Sequence, residues 1–254
     1  MVDNPSPDEL FATDAYLRTA EATVTAVDGD RIILDRTVFY PGGGGQPADR
    51  GIVTWDAADG GVGHADVVGV GRANGRIQHQ LALPGPDAGP PPDTPVRLEL
   101  DWDRRHLLMR THTALHILCG VIWDDFGVAV TGGNMEPGKG RLDFALDAVT
   151  SELGAAIERR LNEEVERAHE IVVEFVDRTA GDLDPALIRT KADLIPASIN
   201  PLRVIDIVGL DRQADGGTHV AATTEVGRIE VTKTENKGRD NKRIRLAVHD
   251  AWQA

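Results

Sequence analysis

Cysteine is nearly missing from this 254-residue chain: Cys119 stands alone, so no internal disulfide can staple the fold. It falls in the apolar register of an expected helix, where the role of a small buried hydrophobe fits better than that of a nucleophile. Aromatic residues make up only 4% of the sequence, and no apolar run comes near the ~20 residues that a membrane-spanning helix needs. The start, MVDNPSPDELFATD, has neither a basic n-region nor an apolar h-region, which argues against a secretory signal and for a cytoplasmic protein without membrane partners.

Lysine is the other scarcity. Five Lys stand against 27 Asp, and the totals of 27 basic and 41 acidic residues leave a formal charge of -14. Such acidity ordinarily counts against a nucleic-acid partner, because phosphate binding draws on clustered Lys and Arg. An Asp-rich, Lys-poor surface also suits a protein that works in molar salt, where the screening length falls to roughly 3 Å. We therefore expect a halophilic protein whose folding and activity improve with KCl. One dense basic cluster exists, at Lys237, Arg239, Lys242, Arg243 and Arg245, and Arg104, Arg105 and Arg110 lie along an expected helix. These are candidates for phosphate contacts, although short charge runs are also common on solvated surfaces.

Glycine, by contrast, is plentiful and unevenly placed. The run Phe39-Tyr40-Pro41-Gly42-Gly43-Gly44-Gly45-Gln46-Pro47-Ala48-Asp49-Arg50-Gly51 sets four glycines between an aromatic pair and Gln-Pro. A glycine run is commonly a turn or a link, but Thr37–Tyr40 reads as a strand delivering a bare backbone loop that a ligand can approach closely. Short apolar segments at Ala22–Val27, Arg31–Leu34, Gly51–Trp55 and Arg76–Leu81, separated by Asp/Gly turns, read as a small all-β unit. The proline-rich stretch from Pro84 to Pro95 is either a domain boundary or a long hairpin tip. After it a helix is expected over Arg104–Asp124, then turns at Gly132-Gly133-Asn134 and Pro137–Gly140 between short strands. Leu153, Ile157, Leu161 and Val165 mark a second helix with Thr150 or Ser151 as N-cap. Strands follow at Ile171–Val176, Leu202–Val208, Gly227–Lys233 and Arg243–Val248, and the lack of a regular βα alternation argues for an α+β domain.

Two segments carry metal-binding residue types. His112-Thr113-Ala114-Leu115-His116 puts two imidazoles on one helix face, as a shared ion requires, while Thr113 excludes the zinc-protease signature, which needs Glu there. A hundred residues on, Asp215-Gly216-Gly217-Thr218-His219-Val220 offers a carboxylate and an imidazole across a Gly-Gly turn. The four side chains suit a tetrahedral zinc site built from distant segments. Equally, Asp215 can support its own turn by accepting from backbone N–H groups while His219 only packs.

Taken together, FYPGGGGQPADRG, HTALH and DGGTHV resemble the alanyl-tRNA editing proteins, freestanding relatives of the editing domain of alanyl-tRNA synthetase. The tail Glu235–Ile244 fits as well, and the likeness is to the medium-length form. The resemblance implies an α+β fold. A small N-terminal β-barrel-like, glycine-rich domain (1–95, ending in the Pro/Gly-rich linker) would precede a metal-binding editing domain of the threonyl/alanyl-tRNA synthetase type (96–254). It implies a trans-acting, ATP-independent deacylase with one Zn2+ per chain, acting chiefly on Ser-tRNA(Ala), with Gly-tRNA(Ala) as a second candidate. By position His112, His116, Asp215 and His219 become metal ligands, with Asp215 where Cys is commoner, and His112, His116 and Gln46 become catalytic. Gly43, Gly44, Gly45, Gln46 and Thr218 become substrate-binding, and Lys237, Arg239, Lys242 and Arg243 tRNA-binding. The alternatives are a threonyl-type editing domain and a metal-stabilised tRNA-binding module without hydrolysis.

Overall fold

The computed structural model describes residues 6, 8–58, 60–85, 88–179, 184, 187–189, 199–238 and 241–250. The chain divides into two compact units, one of residues 6–43 and 47–106, the other built mainly from residues 44–46 and 107–254.

In the first unit six antiparallel strands close into a barrel: β1 (Thr19–Asp28), β2 (Arg31–Leu34), β3 (Gly51–Asp56), β4 (Val62–Ala73), β5 (Arg76–Leu81) and β6 (Pro95–Leu100), in the order β1-β2-β5-β4-β3-β6. Alternation decides what faces in: β6 buries Val96, Leu98 and Leu100 beside Val24, Ile32, Val53, Trp55 and Val67. Asn74 and Gly75, at φ 51° and 75°, make the tight turn from β4 to β5, a pairing of positive φ values that matches strand twist. β4 is hard to read from sequence because Gly63, Gly69 and Gly71 interrupt it. Gly63 pairs with Trp55, and a Cβ there would overlap the indole.

Three expectations change here. The proline-rich stretch joins β5 to β6 of one barrel, and β6 pairs with both β1 and β3, so this unit runs on to His106 instead of ending at residue 95. Thr37–Tyr40 is not a strand: Thr37 forms one isolated bridge, to Glu9. Side chains replace the ladder, with Phe39 N–H donating to Thr37 Oγ1 at 3.1 Å and Tyr40 N–H to Asp49 Oδ2 at 2.7 Å. Asp49 N–H donates back to the Tyr40 carbonyl at 3.0 Å, closing the base of the glycine loop. Arg105 Nε meets both Asp49 oxygens at 3.1 and 3.0 Å, Nη1 donates to Ala15 O at 2.9 Å and Nη2 to Val38 O at 2.7 Å. Arg105 is fully buried and so is not a phosphate contact.

In the second unit, helix α1 (Trp102–Phe126) from Leu107 onward is apolar nearly all round. Leu108, Met109, Ala114, Ile117, Leu118, Val121 and Ile122 are buried, as suits a helix enclosed by other elements. β7 (Val130–Glu136), β8 (Lys139–Phe144), β12 (Arg228–Asn236) and β13 (Lys242–His249) form a sheet in the order β12-β13-β8-β7. β9 (Ile171–Val176), β10 (Leu202–Ile207) and β11 (Asp211–Ala214) form a second sheet with β10 central. Gly132-Gly133-Asn134, expected as a turn, lies inside β7 at a register shift, where glycine in a strand marks a bulge. α2 (Ser151–Glu166) starts at Thr150, whose hydroxyl accepts from Leu153 N–H at 3.2 Å. Its Asn162 and Glu158 bond the free edge of β12, reaching Ile229 N–H at 2.9 Å and Val231 N–H at 2.9 Å.

Candidate metal centre

His112 and His116 stand one turn apart on α1, and the loop after β11 brings Asp215 and His219 against them. Ring centroids lie 5.0 Å apart for His112 and His116, 4.4 Å for His112 and His219, and 4.5 Å for His116 and His219. One ligand atom from each of the four residues lies within 4.8 Å of all the others. Bonds of about 2.0–2.2 Å to a tetrahedral zinc ion would need only a modest contraction.

The partners on the far side of each ring decide which nitrogen faces in. His112 Nδ1 is 2.9 Å from Gln46 Oε1, His116 Nδ1 is 3.2 Å from Asp211 Oδ2, and His219 Nδ1 is 3.2 Å from Thr113 Oγ1. Each Nδ1 is thereby engaged, and Nε2 is the atom offered to the centre. Asp215 supports its turn, Oδ2 accepting from Gly217 N–H at 2.6 Å, and Oδ1 stands 3.7 Å from His112 Nε2. Gly217 has no alternative, since a Cβ there would overlap the His112 ring. The donor set, three imidazole nitrogens and a carboxylate oxygen, suits zinc.

For two of the three rings electrostatics agree with that use. Burial pushes His112 down to about 4 against the pull of Asp215, and burial with the neighbouring His112 and His116 holds His219 well below the usual range. Both are neutral at neutral pH, as ligands must be. Burial would also lower His116, but the hydrogen bond to Asp211 and the charge of Asp215 outweigh it and raise the group. Burial works to raise Asp215 too, yet the three imidazoles hold its carboxyl well below the ordinary range.

The cluster opens into a cavity of about 1100 Å³ whose walls include Gly44, Gly45, Leu115, Asn134, Leu187 and Arg203. Gly42, Gly43, Gly44 and Gly45 have φ values of 80°, 134°, 56° and 91°, a succession of positive angles that explains why the run is all glycine. Gly44 lies so near the centre that a Cβ would stand 3.6 Å from Asp215 Oδ1. Gly43 belongs to the first unit, its carbonyl accepting from the Tyr40 hydroxyl at 3.0 Å. Gln46 is buried and fully committed: Oε1 also accepts from Thr218 N–H at 3.0 Å, and Nε2 donates to Thr218 Oγ1 at 2.9 Å.

Away from the cavity, Lys242 is buried with Nζ 2.5 Å from Gly238 O, Arg243 is paired with Asp143 at 2.7 and 2.9 Å, and Lys237 is 3.2 Å from Glu235. Arg239 lies outside the described residues. Cys119 is buried on the cavity wall with its thiol pushed far up by burial, in keeping with a packing role. Sequence reasoning missed Thr113, Asp211 and Gln213; the signal for Thr113 was its place inside HTALH, whereas Asp211 and Gln213 carry none.

Comparisons with known proteins fit this geometry. Residues 202–245 match the family described as threonyl and alanyl tRNA synthetase second additional domain, and residues 12–104 match class II (A) tRNA synthetases. A mixed α/β chain with a six-stranded barrel and a His/Asp cluster is consistent with an editing domain of the synthetase type. The chain is 35% identical over 244 residues to the alanyl-tRNA editing protein AlaX-M of Methanosarcina acetivorans, spanning 95% of this chain and 98% of that protein. The AlaX-M of Saccharolobus solfataricus is 34% identical over 242 residues, with the same coverage. The alanine–tRNA ligase of Pyrobaculum neutrophilum is 33% identical over 244 residues, which span 92% of this chain and 26% of the ligase. The chain belongs to the alanyl-tRNA editing proteins of the AlaX-M type.

Proposed function

We propose that this protein is a zinc-dependent aminoacyl-tRNA deacylase that clears mischarged tRNA(Ala) in trans, in the cytoplasm and without ATP. Its substrates are chiefly Ser-tRNA(Ala), with Gly-tRNA(Ala) second. The need is physical: a pocket shaped for alanine discriminates weakly against an added hydroxyl and cannot exclude a smaller side chain, so a separate hydrolytic site is required. The carrying observation is the convergence of His112, His116, His219 and Asp215, three of which (His112, His116 and Asp215) line a cavity together with Gly44 and Gly45. No described helix is long and apolar enough to cross a membrane.

The four side chains would hold one Zn2+. Bound there, the ion supplies Lewis-acid polarisation of the ester carbonyl or an activated water at neutral pH. Hydrolysis forms a bond from a water oxygen to the aminoacyl carbonyl carbon and breaks that carbon's bond to the terminal ribose oxygen, which leaves with a proton of that water. Gly44 and Gly45 admit the aminoacyl-adenosine end close to the backbone, and Leu115 and Leu187 offer the adenine an apolar wall. Gln46 and Thr218 act through His112, because their polar atoms are already engaged. For the tRNA backbone we assign the region of Lys237, Arg239, Lys242 and Arg243. Among the described members Lys237 is the most exposed, so Lys237→Glu is expected to weaken tRNA binding while sparing metal content.

The test is incubation with Ser-, Gly- and Ala-tRNA(Ala) in molar KCl, with and without chelator. Serine release that stops on chelation and returns with zinc is expected. Release indifferent to chelator would remove the metal from the reading, and no release from any substrate would remove the deacylase.

A further inference from the structure

Behind His116 lies a buried polar cluster that the ligand set does not use. Asp211 opens β11 with its side chain wholly enclosed, and Oδ2 stands 3.2 Å from His116 Nδ1. Gln213, two residues on and therefore on the same strand face, places Nε2 2.6 Å from Asp211 Oδ2 and 3.1 Å from His116 Nδ1. On the other side Arg189 Nε is 3.8 Å from Asp211 Oδ1, and its guanidinium lies 4.3 Å over the Trp123 ring. Gly120, one turn beyond His116, lets the strand come this near: a Cβ would stand 3.0 Å from Leu210 and 3.1 Å from Asp211 Cβ.

His116 differs from the other two rings in what competes for its Nδ1. Those of His112 and His219 face oxygen atoms, Gln46 Oε1 and Thr113 Oγ1. His116 Nδ1 faces a carboxylate and also an amide nitrogen, which only donates. If the amide won, Nδ1 would accept and the ring would carry its proton on Nε2, directed at Asp215 and His219, where it cannot ligate. We propose that Asp211 is the positioning residue that prevents this: it accepts the Nδ1 proton of His116, leaves the Nε2 lone pair facing the metal, and is aligned by the Gln213 amide. The inference rests on the metal-centre reading above.

Asp211→Leu keeps roughly the shape and removes the acceptor, leaving the Gln213 amide beside His116 Nδ1. In the full-length protein it should weaken zinc binding 10- to 100-fold in chelator competition, the range for loss of such a partner. In the metal-free state, imidazole 15N spectra should move His116 from the Nδ1–H to the Nε2–H tautomer. The double variant Asp211→Asn/Gln213→Glu puts the carboxylate on the side chain whose tip is already 3.1 Å from Nδ1. It keeps an acid and an amide side by side and should recover the Nδ1–H form with zinc affinity within about threefold of wild type. Wild-type affinity and tautomer in Asp211→Leu would overturn the proposal, as would a folded double variant still in the Nε2–H form. If Asp211→Leu does not fold, the double variant decides alone. A zinc-loaded wild type that leaves Ser-tRNA(Ala) intact would strike the deacylase reading and not this one.

Discussion

Each compact unit buries a dense polar cluster at its functional or structural centre, and these two are satisfied in opposite ways. In the barrel unit Arg105 and Asp49 are fully enclosed, and every guanidinium nitrogen is spent on Asp49 or on the carbonyls of Ala15 and Val38. Asp49 also accepts from Tyr40 N–H, so the cluster keeps nothing in reserve. In the second unit the outward atoms are spent, each Nδ1 on a neighbour, while three Nε2 atoms and Asp215 Oδ1 converge. Both clusters bear the cost of burial. What separates a brace from a site is the direction in which unspent bonding capacity points.

The largest expected effect strips the brace. Arg105→Met leaves Asp49 buried without its partner and should cost roughly 3–5 kcal/mol in urea titration, with zinc bound per folded molecule unchanged. A loss below about 1 kcal/mol would erase the contrast. Next in size, zinc at a hundred times its dissociation constant should raise unfolding free energy by about 2.7 kcal/mol, and His219→Ala should abolish that increment. A stabilisation that survives His219→Ala would place the ion elsewhere.

Smaller still is a pH effect in the barrel, where burial pushes His79 down to about 4. Because the unfolded chain takes up this proton near pH 6.5 and the folded one does not, its contribution is whole above pH 6.5 and declines on acidification. The decline reaches about 2 kcal/mol by pH 5. Comparing zinc-loaded wild type with His79→Gln between pH 7 and 5 isolates the slope; equal slopes would refute it. Smallest, iodoacetamide at pH 8 should leave Cys119 unmodified in the native state, since its thiol is pushed up by burial; prompt labelling would mean the cavity wall opens.

The motifs with unusual local chemistry were legible in the sequence. The glycine run, HTALH and DGGTHV announce themselves because few backbones need four positive φ values and few helices need two imidazoles one turn apart. Both helices and most strands follow from periodicity. What stayed hidden depends on partners far along the chain. Gly132 and Gly133 look like a turn until β8 pairs with them, and Thr37–Tyr40 looks like a strand until Asp49 takes its N–H. Arg105 looks like a phosphate ligand until the same carboxylate claims it. Asp211 and Gln213 could not be singled out, because a carboxylate two residues from an amide in a short strand is unremarkable until His116 is known to sit behind them.

The path of the chain also governs how this molecule can be inherited. Residues 44–46 are borrowed by the second unit from the middle of a loop whose flanks belong to the first. No single cut yields both units intact: a fragment beginning at Leu107 would lack Gln46, leaving the His112 Nδ1 and the Thr218 N–H and hydroxyl without the amide that engages them. Recombination that exchanges one unit for a foreign counterpart must therefore carry the Gly44–Gln46 segment across with the unit it serves.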